Sequence, residues 1–220
     1  MTEYYPIELF HWAGMKDEHI NELIKILTAC PNFVNETNDF GDNCLFIAAK
    51  MGNINMVKYI VENTNIDINH ANSDGSALLI ALTQGHMEIV NYFLDSTKIN
   101  IHLKNSHGEG IYHLAAKTGN SNLIEKLLKI DKEKRIGDLN NIGRHCLFNV
   151  VDSYAIHKNY WCFELIQENL SDDELLQRDK NGMNILDFTI NSQFININGS
   201  KIDRTKLYAP LINILRSRGL

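Results

Sequence analysis

Apolar positions along the chain form short helical patterns, and small residues separate these patterns at regular intervals. Near the start, Ile20, Leu23, Ile24 and Leu27 have the 3, 1, 3 spacing of a helix with one apolar face. Glycine recurs at intervals of 34, 33 and 35 residues, at Gly41, Gly75, Gly108 and Gly143. A period near 33 residues predicts a fold built by stacking similar units.

Each period contains a turn and two predicted helices. In the fourth copy, Gly108 supplies the turn, a first helix follows, Gly119 breaks it, and Leu123–Leu128 belongs to a second helix. Alanine keeps the same period at Ala48, Ala81 and Ala115. Small residues at these positions let the helices of neighbouring units approach closely.

We predict a single domain of about six units, with a degenerate unit at each end. Their approximate bounds are 4–37, 38–71, 72–104, 105–140, 141–178 and 179–220. The fifth and sixth units carry insertions at residues 152–160 and 191–206. An extended first helix or a longer surface loop would accommodate the first insertion. In the second, Asn198–Gly199 between isoleucines is typical of a hairpin turn.

The repeated motif resembles that of the ankyrin repeat family. In the fourth copy the likeness runs through Gly108–Asn120, and it covers nearly the whole chain, most strongly from about residue 38 to 130. The resemblance implies an all-α solenoid, in which a turn or β-hairpin finger precedes two antiparallel helices. It also implies a structural role for His113, which matches the histidine of the family motif.

The chain departs from that family motif in two respects. The usual Thr-Pro is absent from every unit, and apolar residues replace the usual histidine at Phe46, Leu79 and Phe148. In the family, the threonine and histidine tie neighbouring units by hydrogen bonds. We therefore interpret the units as joined more by apolar packing than by that polar network.

Charge and hydropathy limit the classes of partner. The formal net charge is −6 and the sequence pI is about 5.8, which disfavours nucleic acid, because phosphate binding relies on clustered Lys and Arg. No apolar stretch approaches the roughly 20 residues of a membrane-spanning helix. The N-terminus has no basic start or apolar run typical of a signal peptide. We expect neither nucleic-acid binding nor membrane insertion.

The cysteines predict neither disulfides nor a metal site. The four, Cys30, Cys44, Cys146 and Cys162, show no C-x-x-C spacing, and Cys44 and Cys146 have apolar neighbours. They are typical of small buried residues in a reducing compartment, so we expect a cytoplasmic location. We predict no cofactor, metal or catalytic residue. A catalytic group assembled from a cysteine with a distant His and Asp stays open as an alternative.

The resemblance implies that function lies on a concave face of turn tips and first-helix surfaces, which binds partner proteins in the ankyrin family. Phe40 and Ile142 are apolar at turn tips, which suits interface anchors. The residues at the matching positions are Asp39, Phe40, Asp42, Lys50, Met51, Ser73, Asp74, Ser76, Thr83, Gln84, His107, Glu109, Lys117, Thr118, Ile142 and Arg144.

We therefore predict a protein–protein interaction module that is monomeric when unbound. The frequent Asn, Ile and Lys indicate an AT-rich genome, and ankyrin proteins of AT-rich intracellular bacteria and some large DNA viruses often act on host proteins. By that analogy the protein is a secreted effector that binds a host protein in the cytosol. Two alternatives remain: an enzyme whose site is formed by insertions 152–160 and 191–206, or a binding module that holds its partner with these insertions.

Overall fold

The computed structural model of the chain describes residues 4–197 and 200–220, and only the backbone for residues 17, 194–197 and 200–202. The described chain divides into two compact units, Met1–Ser106 and His107–Leu220. Six helix pairs, three in each compact unit, match the six predicted repeats. The assignment of the whole chain to one domain stays a prediction.

The first compact unit contains repeats one to three. Its helices are α1 (Pro6–Ala13), α2 (Ile20–Ala29), α3 (Cys44–Met51), α4 (Ile54–Asn63), α5 (Ala77–Thr83) and α6 (Met87–Leu94). Two short 3₁₀ segments cover Asp17–His19 and Pro31–Asn35, and the strands β1 (Ala71–Asn72) and β2 (Gly75–Ser76) form an antiparallel finger.

The second compact unit contains repeats four to six. Its helices are α7 (Ile111–Thr118), α8 (Ser121–Ile130), α9 (Cys146–His157), α10 (Tyr160–Glu168), α11 (Asp172–Leu176), α12 (Ile185–Asn191) and α13 (Thr205–Ser217). A 3₁₀ segment covers Arg135–Gly137, and the strands β3 (Phe194–Ile197) and β4 (Ser200–Asp203) pair antiparallel.

Polar caps and left-handed glycines set the ends of the first helices. Asn43 caps α3 by accepting a hydrogen bond from the Phe46 backbone N–H at 2.8 Å. Gly52 ends the same helix with φ 79°. A side chain at Gly52 would also meet the ring of His86, 2.7 Å from its would-be Cβ, so both conformation and space favour glycine here.

The core of the first compact unit lies between its paired helices. Phe46 and Phe93 are fully buried there, and so are the small residues Ala48, Ala49 and Ala81. Helix α3 packs against α1, α4 and α5, so its Ala48–Ala49 pair lies where three helices must approach. This confirms the predicted packing role of the recurrent alanines.

Asparagine side chains join neighbouring repeats as well. The Asn35 amide donates to the Asn65 carbonyl, and its oxygen accepts from the Asp67 N–H at 2.8 Å. Asn69 makes the same pair of bonds to Lys98 and Asn100. The interpretation that apolar packing joins the units is therefore incomplete, because these amides form a second polar network at positions outside the family motif.

The first insertion extends a helix. Helix α9 has 12 residues, whereas α3 and α7 have 8 each, which confirms the extended-helix alternative. The extension carries Tyr154, whose ring lies 5.7 Å from that of Tyr208 on α13. Tyr208 is buried and donates its hydroxyl to the Val151 carbonyl at 3.3 Å. The longer helix thus gives the last helix a surface to pack on.

The second insertion contains the predicted hairpin. Strands β3 and β4 pair in register from Phe194 opposite Asp203 to Ile197 opposite Ser200. The predicted turn residues Asn198 and Gly199 lie outside the described residues.

The C-terminus is anchored by Arg218. Arg218 is half-buried, and its guanidinium donates to the Gln167 and Leu170 carbonyls and to the Asp172 carboxylate. Residues about 50 positions earlier in the chain supply these partners. Arg216, in contrast, is exposed.

Candidate functional site

A polar side chain fixes the tip of several fingers. The Asn38 amide oxygen accepts hydrogen bonds from the backbone N–H groups of Phe40 and Asp42, both at 2.9 Å. Asn140 does the same for Ile142 and Arg144, both at 3.1 Å. This Asx turn holds the residue two positions later outward. Its side chain is consequently exposed, by 80% at Phe40 and 44% at Ile142.

Backbone hydrogen bonds connect successive fingers inside each compact unit. In the first, the Ser106 N–H donates to the Ser73 carbonyl at 2.8 Å. In the second, the Asn141 and Lys180 N–H groups donate to the carbonyls of His107 and Ile142, both at 2.9 Å. These bonds join residues 33 to 38 positions apart, and they give each row of tips a fixed spacing.

In the first compact unit, most of the predicted partner-binding residues are exposed. These are Asp39, Phe40, Lys50, Met51, Ser73, Asp74, Thr83 and Gln84. The other two are buried: Asp42 accepts a hydrogen bond from the Asn72 amide at 2.5 Å, and Ser76 accepts the N-terminal Leu79 N–H of α5. Asp42 and Ser76 therefore stabilise the finger and offer a partner little surface.

In the second compact unit, fewer of the predicted partner-binding residues are exposed to solvent. Three are exposed, namely His107, Lys117 and Ile142, while Thr118 is half-buried. Glu109 is 9% exposed, and its carboxylate lies 2.7 Å from the Lys117 ammonium. The buried acid and its lysine form an ion pair on the side of α7, so Glu109 has a structural partner already.

Arg144 is likewise occupied by its neighbours. Its Nε donates to the Asp179 carboxylate at 2.8 Å, and its guanidinium carbon lies 4.3 Å from the ring centre of Phe188 and 5.2 Å from that of Phe148. Burial opposes ionisation of Asp179, but bonds from the Met183 backbone and from Arg144 hold the pKa of that carboxyl below its ordinary value. Arg144 thus joins the fifth finger to the sixth repeat.

His113 has the structural role that the resemblance implied. The imidazole is buried, and its Nε2 lies 2.9 Å from the Arg144 carbonyl oxygen in the next repeat. The binding roles of the exposed residues on the fingers and first helices stay predictions.

Two exposed apolar residues near the first insertion were not predicted as surface sites. Ile156 is 77% exposed and Trp161 is 71% exposed. The apolar positions of α10 include Trp161, Phe163 and Ile166, of which the last two are buried. The buried set Cys162, Phe163 and Ile166 has the helical spacing, and Trp161 lies outside it.

The buried cysteines are in surroundings that do not activate a thiol. Burial raises the pKa of Cys44 to about 12 and that of Cys162 to about 11. It also raises the pKa of Cys146, whose thiol donates to the Ile136 carbonyl at 3.3 Å. Nucleophilic cysteines have a lowered pKa. The neighbouring His145 is no base for Cys146, because burial, assisted by His113, lowers its pKa to about 3.

The second insertion borders a groove of about 610 Å³, lined by residues 203–207. Within it, the Asp203 carboxylate accepts hydrogen bonds from the backbone and hydroxyl of Thr205, at 2.8 and 2.5 Å. None of the described lining residues comes from the first insertion. In the described ranges, no group of three or more His, Cys, Asp or Glu side chains could hold a metal ion. No helix in that part of the chain has the length and hydrophobicity to cross a bilayer.

Comparison with known proteins identifies the repeats. Residues 10–105 match a family model described as ankyrin repeats in three copies. No curated protein matches the chain. An ankyrin repeat domain from Acinetobacter baumannii superposes with a TM-score of 0.73 at 20% identity, covering 96% of this chain and 97% of that one. Another solved ankyrin repeat protein gives 0.73 at 23% identity, covering 97% and 98%.

A third solved structure is a complex of two proteins. It contains a predatory endopeptidase from Bdellovibrio bacteriovorus and an immunity protein. One of its chains matches with a TM-score of 0.70 at 20% identity, covering 92% of this chain and 96% of that one. At such identities the three structures establish the fold alone. The family model thus identifies ankyrin repeats in residues 10–105, and the solved structures show the ankyrin-repeat fold over nearly the whole chain; ankyrin repeats are protein–protein interaction modules.

Proposed function

We propose that the protein binds a partner protein through the fingertips and exposed first-helix residues of its repeats and has no enzymatic activity. The observation that carries the proposal is Phe40, a phenylalanine that is 80% exposed on a tip fixed by Asn38. A large aromatic side chain on a rigid support loses little conformational freedom on binding, which suits an interface anchor. Met51, 56% exposed at the end of α3, adds a second apolar contact.

The surroundings of these anchors are polar, as the rim of an interface is. Asp39, Lys50, Asp74 and Gln84 are exposed on the same fingers and helices. They bear charges of both signs together with a neutral amide, so we expect them to contribute selectivity rather than most of the affinity. The complex that contains the endopeptidase from B. bacteriovorus and an immunity protein supports partner binding by this fold.

The proposal extends to a biological setting. We infer that the partner is a host protein, that the protein acts as a secreted effector in the host cytosol, and that it is a monomer when unbound. The support is the Asn-, Ile- and Lys-rich composition, together with cysteines that are free thiols. Free, mostly buried thiols suit a protein that is in a reducing cytoplasm both before its secretion and after its delivery to the host cytosol.

One observation favours a second candidate, an enzyme with a site at the C-terminal insertions. The groove at residues 203–207 is large enough for a small ligand, and Arg204 and Lys206 could bind an anionic group there. No side chain of the insertion 152–160 is among its described lining residues. The binding function therefore has the stronger support.

The proposed function is tested by affinity capture with the full chain as bait, from eukaryotic and from bacterial lysates. We expect a stoichiometric partner from the eukaryotic lysate that the double variant Phe40→Asp, Met51→Asp fails to capture. The control is Ile7→Asp, which places the same charge at a site 73% exposed on α1. Equal capture by all three proteins would contradict the fingertip surface. A partner found only in the bacterial lysate would contradict the host setting.

A further inference from the structure

The turn between α9 and α10 carries a patch of large apolar side chains. Ile156 is 77% exposed, Trp161 is 71% exposed, and Tyr160 beside it is 36% exposed. Single exposed apolar residues are common on protein surfaces, but three within six consecutive positions form a patch of the kind that binds partners. Residues 156–161 are named the turn patch below.

The turn patch contains a lysine in a backbone conformation that lysine disfavours. Lys158 is exposed and caps α9 with φ 49°, in the left-handed region. The first helices α3 and α7 end instead on glycine, at Gly52 and Gly119. A side chain in this region is strained, and such strain is often found where a residue serves a function. The fifth repeat thus has an exposed cation where glycine would fold more easily.

The turn patch is held in place by the preceding repeat. The Asn159 amide donates to the Gly119 carbonyl at the end of α7, and the Asn159 oxygen accepts from the Cys162 N–H at 3.0 Å. A Cβ at Gly119 would lie 3.1 Å from the Cβ of His157, so the two repeats are in close contact. The apolar side chains therefore project from a turn with fixed geometry.

The electrostatics of the turn favour an anionic group. Helix α10 begins at Tyr160, and its first turn contains no acidic residue to balance the positive end of the helix dipole. Lys158 adds a positive charge at the same turn. The nearest acidic residues in sequence, Asp152 and Glu164, lie about one helical turn beyond Ile156 and Trp161. Lys158 thus places a positive charge between Ile156 and Trp161, the two most exposed apolar side chains of the turn patch.

We propose that the turn patch docks an acidic segment of a protein partner that also carries an aromatic or branched aliphatic side chain. The carboxylates pair with Lys158 and the N-terminal end of α10, and the apolar side chain packs on Trp161 and Ile156. The inference rests on the proposed function, in that it assumes a protein partner. It assigns the contact to a surface separate from the fingertips and specifies the chemistry of the partner segment.

The test selects from a displayed library of random short peptides on the full chain and measures the affinity of an enriched synthetic peptide by calorimetry. We expect enrichment of Asp or Glu beside a large apolar residue, and binding that weakens as salt is added. Trp161→Ala should lower the affinity about tenfold or more, since tryptophan anchors carry much of the energy of an interface.

Lys158→Gly separates binding from folding. Glycine relieves the left-handed strain, so the thermal midpoint should stay equal or rise, while the affinity falls several-fold and its salt dependence flattens. Ile7→Ala is the matched control, because Ile7 is 73% exposed on α1 and outside both proposed surfaces, and it should leave the affinity unchanged. Phe40→Ala tests whether the peptide binds at the fingertips instead.

Three outcomes would overturn the turn patch: no enriched peptide, enriched peptides without acidic residues, or affinities that Trp161→Ala and Lys158→Gly leave unchanged. Peptides that lose affinity only through Phe40→Ala would overturn the turn patch while supporting the fingertip surface. Failure of both the selection and the lysate capture would contradict the proposed function itself.

Discussion

Asparagine side chains link neighbouring repeats at three kinds of position. In the fingers, the Asn72 amide donates a hydrogen bond to the Asp42 carboxylate. In the loops after the second helices, Asn35 and Asn69 donate to carbonyl groups of the next loop. After the first helix of the second repeat, the Asn53 amide donates back to the Ala13 carbonyl of the preceding repeat. Frequent asparagine is typical of an AT-rich genome, but in this fold it also has a physical function, because an amide can donate and accept hydrogen bonds at once.

Buried His145 makes the free energy of unfolding depend on pH. Its imidazole is fully buried, and neither ring nitrogen has a hydrogen-bond partner among the described residues. Burial lowers its pKa from 6.5 to about 3. The folded state therefore binds fewer protons than the unfolded state between those values, and stability falls as pH drops below about 6.5. At pH 5 the loss from this group is about 2 kcal/mol.

The His145 prediction is checked by denaturant unfolding at pH 7 and pH 5. The variant His145→Leu should lose about 2 kcal/mol less than the parent protein between the two conditions. His157→Gln, at an exposed position on the same helix, should keep the pH dependence of the parent. An unchanged pH dependence in His145→Leu would contradict the assignment.

Alanine substitutions at Gly52 and Gly182 distinguish the energetic cost of backbone strain from that of side-chain crowding. Gly52 and Gly182 have φ values of 79° and 76°, but a Cβ at Gly52 would meet the His86 ring, whereas no atom lies within 4 Å of one at Gly182. Alanine at either site costs on the order of 1–2 kcal/mol from conformation. We expect Gly52→Ala to cost at least about 1 kcal/mol more, from crowding. Equal losses in chemical unfolding would show that the His86 ring moves aside freely.

Most helices and fingers could be predicted from the sequence, because the capping and turn residues that define them lie close together in the chain. Ser171 and Glu174 have the spacing of a capping box, and the structure shows both reciprocal bonds at the start of α11. The third repeat has one residue fewer between Gly75 and Ala81 than the second and fourth repeats have between the matching residues, and it forms a paired β1–β2 finger. The helical phase of Trp161 could not be fixed from sequence, because the start of α10 depends on how far α9 extends.

Asn69 joins the loop after α4 to the loop after α6 through its side chain, and a substitution tests this link. The Asn69 side chain donates to the Lys98 carbonyl at 2.9 Å and accepts from the Asn100 N–H at 2.7 Å. Asn69→Ala removes both bonds and should lower the free energy of unfolding by about 1–3 kcal/mol. Asn65→Ala is the matched control, because Asn65 takes part through its backbone carbonyl. Chemical denaturation that ranks the two variants equally would contradict a linking role for Asn69.

The whole chain was predicted to be one domain, and its two compact units make that testable. The glycine period passes from Gly75 to Gly108 without a linker, and repeats stacked in this way usually unfold together. Trp12 lies in the first compact unit, so its fluorescence in the variant Trp161→Phe reports on that unit. We expect its urea midpoint to coincide with that of the far-ultraviolet circular dichroism of the full chain. A two-step dichroism curve, with Trp12 following one step, would show two independent domains.

The repeat period, the helix pairs, the close-packed alanines and the hairpin in the second insertion could all be predicted from the amino-acid sequence. Each helix and turn depends on residues a few positions apart, whose spacing and caps act through local backbone geometry, and the period records how these local patterns recur. Only the tertiary structure decided which residues are left for a partner. Asp42, Glu109 and Arg144 lie at a fingertip or near a helix end in the sequence pattern, but each has a partner from elsewhere in the fold, up to 40 residues away. Burial and ion pairing are set by such contacts, which no local pattern in the sequence records.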